Sequence, residues 1–138
     1  MRIHLVRWVA PLLMLAVLAA AACACARPPG VEPGRVSHVV LFWLNTPGDP
    51  EALDKLSEAC LSFRETPGVR EVVVGKALPS DRPVVDSSFD LGVVITFSGP
   101  EALRNYQQDP KHQRAVADLL KPLVKRIQVY DIVSPPHP

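Results

Sequence analysis

Apolar and polar residues alternate along the chain in a way that predicts strands and helices in a regular order. Four segments are rich in β-branched and aromatic residues, which is typical of strands. They are Val36–Leu44, Val69–Leu78, Phe89–Phe97 and Arg126–Val133. Between them, apolar residues recur at helical spacing after Asp49-Pro50, Gly99-Pro100 and Asp109-Pro110. Proline at the first helical position after a capping residue is a common helix start, so the order is β-α-β-β-α-β, with the second helical segment broken in two.

This order is that of a ferredoxin-like α+β fold, in which one antiparallel sheet of four strands carries its helices on one face. The strands do not alternate as a half-exposed sheet would, because apolar residues run consecutively through Val39–Trp43, Val72–Val74 and Val93–Ile95. Such runs indicate that both sheet faces are covered, whereas the helices can cover only one. We therefore expect a homodimer, a dimeric α/β barrel in which a second copy seals the other face and encloses a cavity.

The beginning of the chain has the features of an export signal. Arg2 and Arg7 precede an uncharged apolar run, Trp8–Ala22, and small residues follow it. Ala20-Ala21-Ala22-Cys23 resembles the bacterial lipobox, in which the cysteine is lipidated, although Ala20 stands where leucine is usual. The alternative is cleavage after Ala26. We expect a protein of the cell envelope, anchored to the membrane through lipid on Cys23 or otherwise periplasmic or secreted.

The domain organisation follows from these segments: a leader over 1–26, a Pro/Gly-rich linker over 27–35, one folded domain over 36–133 and a short tail over 134–138. The 138 residues carry a formal net charge of +1, without a basic run interleaved with aromatic residues, so no nucleic-acid partner is indicated. Cys60 is the one cysteine outside the leader, which gives no disulfide framework. No metal-ligand spacing, phosphate loop or nucleophile motif occurs, and we expect no cofactor.

Three side chains are candidates for a site. His112 lies four residues before Val116 on the apolar face of its helix, and Tyr106 follows Leu103 by three residues on the inward face of the preceding helix. His38 is the polar exception among the residues that share its face of the first strand. A neutral histidine in an apolar pocket suits a general base, and a tyrosine hydroxyl can orient a substrate. Each also has a structural interpretation: a capped helix-start histidine, a hydrogen-bonded core histidine and a core aromatic.

In chain order, the segments SHVVLFWL, PGVREVVVGK, FDLGVVITF, ALRNYQQDPKH and VYDI resemble the stress-responsive A/B barrel domain (Dabb) family. The resemblance implies a ferredoxin-like subunit that pairs into a dimeric barrel. The family also includes a plant branch of polyketide cyclases, which are cofactor-free enzymes. The resemblance implies that His38, Tyr106 and His112 match the active-site group of that branch. A further histidine of that branch falls at Asp109, where this chain differs.

Two functions therefore remain open. In the first, the exported dimeric barrel binds an unknown small apolar molecule without turning it over. In the second, the protein is a cofactor-free cyclase or lyase with His112 as general base and Tyr106 and His38 as helpers.

Overall fold

A computed structural model describes residues 34–135 of the chain. The predicted leader with Cys23, most of the predicted linker and the end of the tail lie outside these residues. None of the helices within the described range is both long enough and apolar enough to cross a bilayer.

Four strands and a broken helical layer follow one another in the predicted order, which confirms the ferredoxin-like α+β fold. The strands are β1 (Val36–Leu44), β2 (Val69–Gly75), β3 (Leu91–Phe97) and β4 (Val124–Val133). The helices are α1 (Pro50–Leu61), α2 (Pro100–Gln108), α3 (Pro110–Ala115) and the single turn α4 (Lys121–Leu123). The sheet order is β2-β3-β1-β4 and every neighbouring pair is antiparallel, so β1 and β3 are central while β2 and β4 are edges.

One face of the sheet packs against the helices and forms the core. Alternate residues of β1 and β3 point to this face, as the register pairs Val40 with Val93 and Phe42 with Leu91. They meet apolar residues of the helices, including Leu53, Leu56 and Leu103, all of which are buried. Burial of this apolar area supplies most of the driving force for folding.

Three strand boundaries differ from the sequence prediction. Strand β2 ends at Gly75 rather than Leu78, because β3 offers it no partner beyond the pair Gly75–Gly92. Strand β3 begins at Leu91 rather than Phe89. Just before it, the Asp90 backbone N–H still donates to the Phe42 carbonyl at 2.8 Å. The Asp90 carboxylate accepts hydrogen bonds from the backbone N–H groups of Leu44 and Gly48 at 2.8 Å.

The third difference is at β4, which begins at Val124 rather than Arg126. A bulge between Trp43 and Leu44 lets β1 continue its pairing, with Leu44 opposite Val124.

The last helical segment is also less regular than its apolar stripe suggests. After α3, residues Val116–Leu120 form one π-helical turn before α4. The stripe of Val116, Leu119, Leu120 and Leu123 is consequently only partly buried. Turns of this kind widen the helix locally and often occur at functional sites.

The second sheet face has no helical cover. Trp43 is buried there, because the Arg126 guanidinium stacks on its ring at 4.1 Å and Phe89 packs against its edge. The rest of the face is apolar and partly open: Val73, Tyr130 and Ile132 are 51%, 52% and 58% exposed. In a single chain, therefore, only the part of this face around Trp43 is covered.

The start of α2, which carries Tyr106, rests on the turn before β2. Gly68 has φ +85°, and a Cβ there would lie 2.5 Å from the Ala102 Cβ. Gly48 also has positive φ, +73°, but a Cβ there would meet nothing within 4 Å. A comparison of substitutions at the two glycines therefore separates the cost of backbone strain from the cost of steric contact.

We expect Gly68→Ala to destabilise the fold more than Gly48→Ala. Both substitutions incur roughly 1–2 kcal/mol from the left-handed backbone, while Gly68→Ala adds roughly 1–3 kcal/mol of overpacking against α2. The free energy of unfolding, measured with denaturant, compares them.

The matched control is a double-mutant cycle with Ala102→Gly, which removes the atom that the new Cβ would meet. Gly68→Ala should cost less in the Ala102→Gly background than in the wild type. An equal cost in both backgrounds would show that contact with α2 is not the cause.

Candidate functional site

His38 is held in the core by an acidic residue of the edge strand. It is 7% exposed and is the one buried polar residue of the described range. Asp131 lies directly opposite it in the β1–β4 register, and the two side chains approach to 2.6 Å between Nδ1 and Oδ1. Since an ionised carboxylate can only accept, the His38 Nδ1–H donates to Asp131, and the ring is fixed with Nε2 on its other side.

Sequence reasoning missed Asp131. An aspartate in a terminal strand is usually interpreted as a solvent-facing residue, and the Asp131 side chain is in fact 42% exposed. The signal that could have found it is strand register, because antiparallel pairing of VSHVVLFWL with the last strand places Asp131 beside His38.

Tyr106 reaches the core from α2 and stacks with several rings. It is 4% exposed, and its ring centroid lies 5.1 Å from those of Phe63 and Phe97 and 6.0 Å from that of His38. Burial raises the pKa of the Tyr106 hydroxyl. At neutral pH the hydroxyl is therefore a hydrogen-bond donor and not a phenolate.

His112 lies against Tyr106, with ring centroids 4.4 Å apart. Burial is the main cause that lowers the pKa of His112, and the nearby His38 also lowers it, while the Gln107 carbonyl and Asp109 oppose the shift. Its buried Nδ1 atom has no hydrogen-bond partner among the described residues. His112 is thus held mainly in its neutral form, and its Nδ1 is a buried nitrogen that no described residue hydrogen-bonds.

The Asp109-Pro110 break brings Tyr106 and His112 together. Asp109 is extended, with φ −63° and ψ 128°, and its backbone N–H donates to the Tyr106 carbonyl at 3.1 Å. Its side chain then caps α3 by accepting from the Lys111 N–H at 2.7 Å. The chain changes direction at one residue, so the end of α2 and the first turn of α3 present their inward side chains to the same space.

That space is a cavity of about 280 Å³ between the helices and the sheet. Its wall includes His38, Tyr106 and His112. Gln107 is the fourth lining residue whose side chain can form hydrogen bonds. The remainder of its wall is apolar and comes from β1, α1, the 3₁₀ turn Ser62–Glu65, the last helical segment and β4: Val40, Phe42, Leu56, Ala59, Cys60, Phe63, Ala115, Val116, Leu120, Ile127 and Val129. The structure therefore brings the three predicted residues together.

The cavity lies within one subunit, on the helical side of the sheet, rather than between two copies as the sequence led us to expect. Ile127 and Val129 of β4 face this side and are still 42% and 41% exposed. The helices extend over β2, β3 and β1 but leave these residues uncovered, which creates the opening.

The donor set fits organic ligands better than a metal. Within residues 34–135 no group of three His, Cys, Asp or Glu side chains is arranged to hold an ion. Cys60 lines the cavity, but burial raises the pKa of its thiol to about 12, so it is an apolar wall residue at neutral pH. A separate, wider groove of about 580 Å³ between α1 and the β2 edge contains none of the three candidate residues.

Residues 36–134 match the sequence signature of the family described as the stress responsive A/B barrel domain, Dabb. The chain belongs to the Dabb family. The match spans most of the chain and includes the whole sheet and every residue of the site. No curated protein matches the chain significantly.

Solved structures share the fold of this Dabb domain. A Dabb-family protein of ferredoxin-like fold from Mesorhizobium loti is 23% identical, with a TM-score of 0.60, over 72% of this chain and 96% of that one. A dimeric ferredoxin-like protein of unknown function from Jannaschia is 28% identical, with a TM-score of 0.56, over 72% and 98%. A hydroxynitrile lyase from Passiflora edulis is 16% identical, with a TM-score of 0.64, over 73% and 94%; at that identity the likeness concerns the fold alone.

We expect the His112 ring to titrate with a midpoint below 6.5, its ordinary value, because burial disfavours the imidazolium form. As the pH falls, His112 of the unfolded chain would then be protonated at a higher pH than His112 of the folded protein. The free energy of unfolding should therefore decrease as the pH falls from 6.5 towards the folded-state pKa of His112. In His112→Gln, the decrease that this histidine causes should be absent.

Ring chemical shifts of histidine followed by NMR against pH give the midpoint directly, and the urea-unfolded protein is the control for the ordinary value. A His112 midpoint at or above that of the unfolded chain would contradict the buried environment described here.

Proposed function

We propose that this Dabb-family protein is an exported homodimer whose subunits each bind a small, mostly apolar molecule. The observation that carries the proposal is the cavity: its wall is mostly apolar, and four lining side chains can form hydrogen bonds, namely His38, Tyr106, Gln107 and His112. Small-molecule sites commonly combine such a wall with a few polar groups that fix the ligand's orientation.

The polar end of the cavity favours a ligand with a carbonyl or hydroxyl group. Tyr106 offers a protonated hydroxyl as donor, and the neutral His112 offers a nitrogen as acceptor. Asp131 fixes the third side chain, His38, in one orientation. A ligand oxygen placed among these groups would replace the hydrogen bonds that it loses on leaving water.

We expect a neutral apolar probe, N-phenyl-1-naphthylamine, to bind in the cavity and to be excluded by Ala115→Phe. Ala115 lines the cavity, so a phenyl ring there fills part of the space, and the probe's affinity should fall about tenfold or more. Fluorescence titration measures it.

The matched control is Ala117→Phe, which places the same ring on an exposed position two residues away. Equal probe affinity in the two variants would remove the cavity as the binding site.

The uncovered second face supports the homodimer. It exposes the apolar residues Val73 at the β2 edge and Tyr130 and Ile132 at the β4 edge of one surface, and apolar residues exposed in this way commonly mark interfaces. The Jannaschia protein of the same fold is dimeric, and pairing through this face would complete the barrel.

We expect sedimentation of the wild type at micromolar concentration to give a dimer and Ile132→Asp to give a monomer, because the new carboxylate would be buried in the interface. The control is Val133→Asp, on the opposite face and of similar exposure at 54%. A monomeric wild type, or equal effects of both substitutions, would contradict pairing through this face.

Export and anchoring rest on the leader sequence. The apolar run Trp8–Ala22 followed by Cys23 supports a lipoprotein of the cell envelope, with cleavage after Ala26 as the alternative. Mass spectrometry of the N-terminus of protein taken from native cells distinguishes them: a diacylglyceryl-modified Cys23 supports anchoring, and a start at Arg27 supports a periplasmic or secreted form.

A second candidate, a cofactor-free enzyme of the cyclase or lyase type, is favoured by one observation: the neutral, buried His112 lies beside the protonated Tyr106. In such a step, His112 takes the proton of an acidic C–H group next to a carbonyl. The C–H electron pair forms the enolate, whose oxygen accepts a hydrogen bond from the Tyr106 hydroxyl.

If this chemistry occurs, the protein should catalyse exchange of the central C–H hydrogen of a 1,3-diketone with deuterium, followed by NMR. His112→Ala should slow the catalysed exchange by about 10²-fold or more, while Gln113→Ala, at the neighbouring exposed position, should leave it unchanged. A rate that His112→Ala does not alter would exclude His112 as the base.

A further inference from the structure

The apolar cavity does not end at its own opening but adjoins a second depression of about 290 Å³. Val116, Leu120 and Ile127 line both. They lie where the π-helical turn faces the beginning of β4, so a ligand leaving the cavity along this wall enters the second depression.

The second depression differs from the cavity in charge. Its wall includes Lys121, Lys125 and Arg126, and neither its lining residues nor those of the cavity include an aspartate or glutamate. The Arg126 guanidinium stacks on Trp43. Among the described residues, neither Lys121 nor Lys125 forms an ion pair; Glu51 pairs with Lys55, and Asp131 accepts a hydrogen bond from His38.

We propose that the ligand is an amphipathic anion, a carboxylic acid whose mostly apolar body occupies the cavity, with its carbonyl or hydroxyl group beside Tyr106 and His112, and whose carboxylate lies between Lys121 and Lys125. The proposal rests on the proposed binding function and assigns its ligand class. Lys121 and Lys125 are exposed and hydrated, so a neutral ligand gains nothing from them. A carboxylate adds two attractive charge contacts while remaining close to water, where its desolvation cost is small.

The cavity volume limits the length of that chain. About 280 Å³ holds on the order of nine groups of roughly 30 Å³, the volume of a water molecule in the liquid. A chain of about eight to ten carbons therefore fits, and longer chains would extend past Ile127 into the second depression.

The test compares decanoate with decan-1-ol, which has the same chain and no charge, as competitors for N-phenyl-1-naphthylamine bound to the full-length protein. At low salt and pH 7.5, decanoate should displace the probe at about a tenfold lower concentration than decan-1-ol, the scale of two exposed ion pairs.

Lys121→Gln/Lys125→Gln should abolish this preference without changing the affinity for decan-1-ol. Salt at about 0.5 M should reduce the preference in the wild type, because it screens exposed charges.

The control for total charge is Lys76→Gln/Arg82→Gln, which removes two exposed cations at the end of β2 and in the loop that follows, away from β4. It should keep the preference for decanoate.

Equal displacement by the two competitors in the wild type, or an unchanged preference in the Lys121/Lys125 variant, overturns the anion assignment while cavity binding stands. Failure of both competitors to displace the probe overturns the binding function and the assignment together.

Discussion

The helical layer of this subunit is narrower than its sheet, and the cavity depends on that mismatch. Helices pack over β2, β3 and β1, where the facing residues are buried, but Ile127 and Val129 on the same side of β4 remain partly exposed. The gap between the last helical segment and β4 opens into the cavity that His38, Tyr106 and His112 line. A wider layer would close this space with apolar side chains and leave only a core.

Two irregularities in the helical layer shape the gap. The Asp109-Pro110 break turns the chain between Tyr106 and His112, so two successive helices point side chains into one space. The π-helical turn Val116–Leu120 then carries the chain along the opening towards β4. Both features place backbone that is less regular than an α-helix around the site, which agrees with the tendency of functional sites to retain such irregularity.

The fold could be predicted from the sequence because each element follows a local rule. Strand composition, proline at helix starts and the broken second helical segment were sufficient for the β-α-β-β-α-β order, and face counting placed Tyr106, His112 and His38 towards the interior. Asp131 could not be found this way, since its contact with His38 depends on strand register across 93 positions of sequence. The location of the cavity was also missed. Apolar runs indicate that both sheet faces are apolar. The width of the helical layer depends on tertiary packing, so local sequence patterns do not predict it.

The most direct measurement is NMR of protein with labelled methyl groups and histidine rings, titrated with decan-1-ol. If ligands enter the gap beside β4, the largest shift changes should occur at Ile127, Val129 and His112. Changes concentrated instead at Leu53 and Val74, which line the wider groove at the β2 edge, or on the second sheet face, would contradict this entry route.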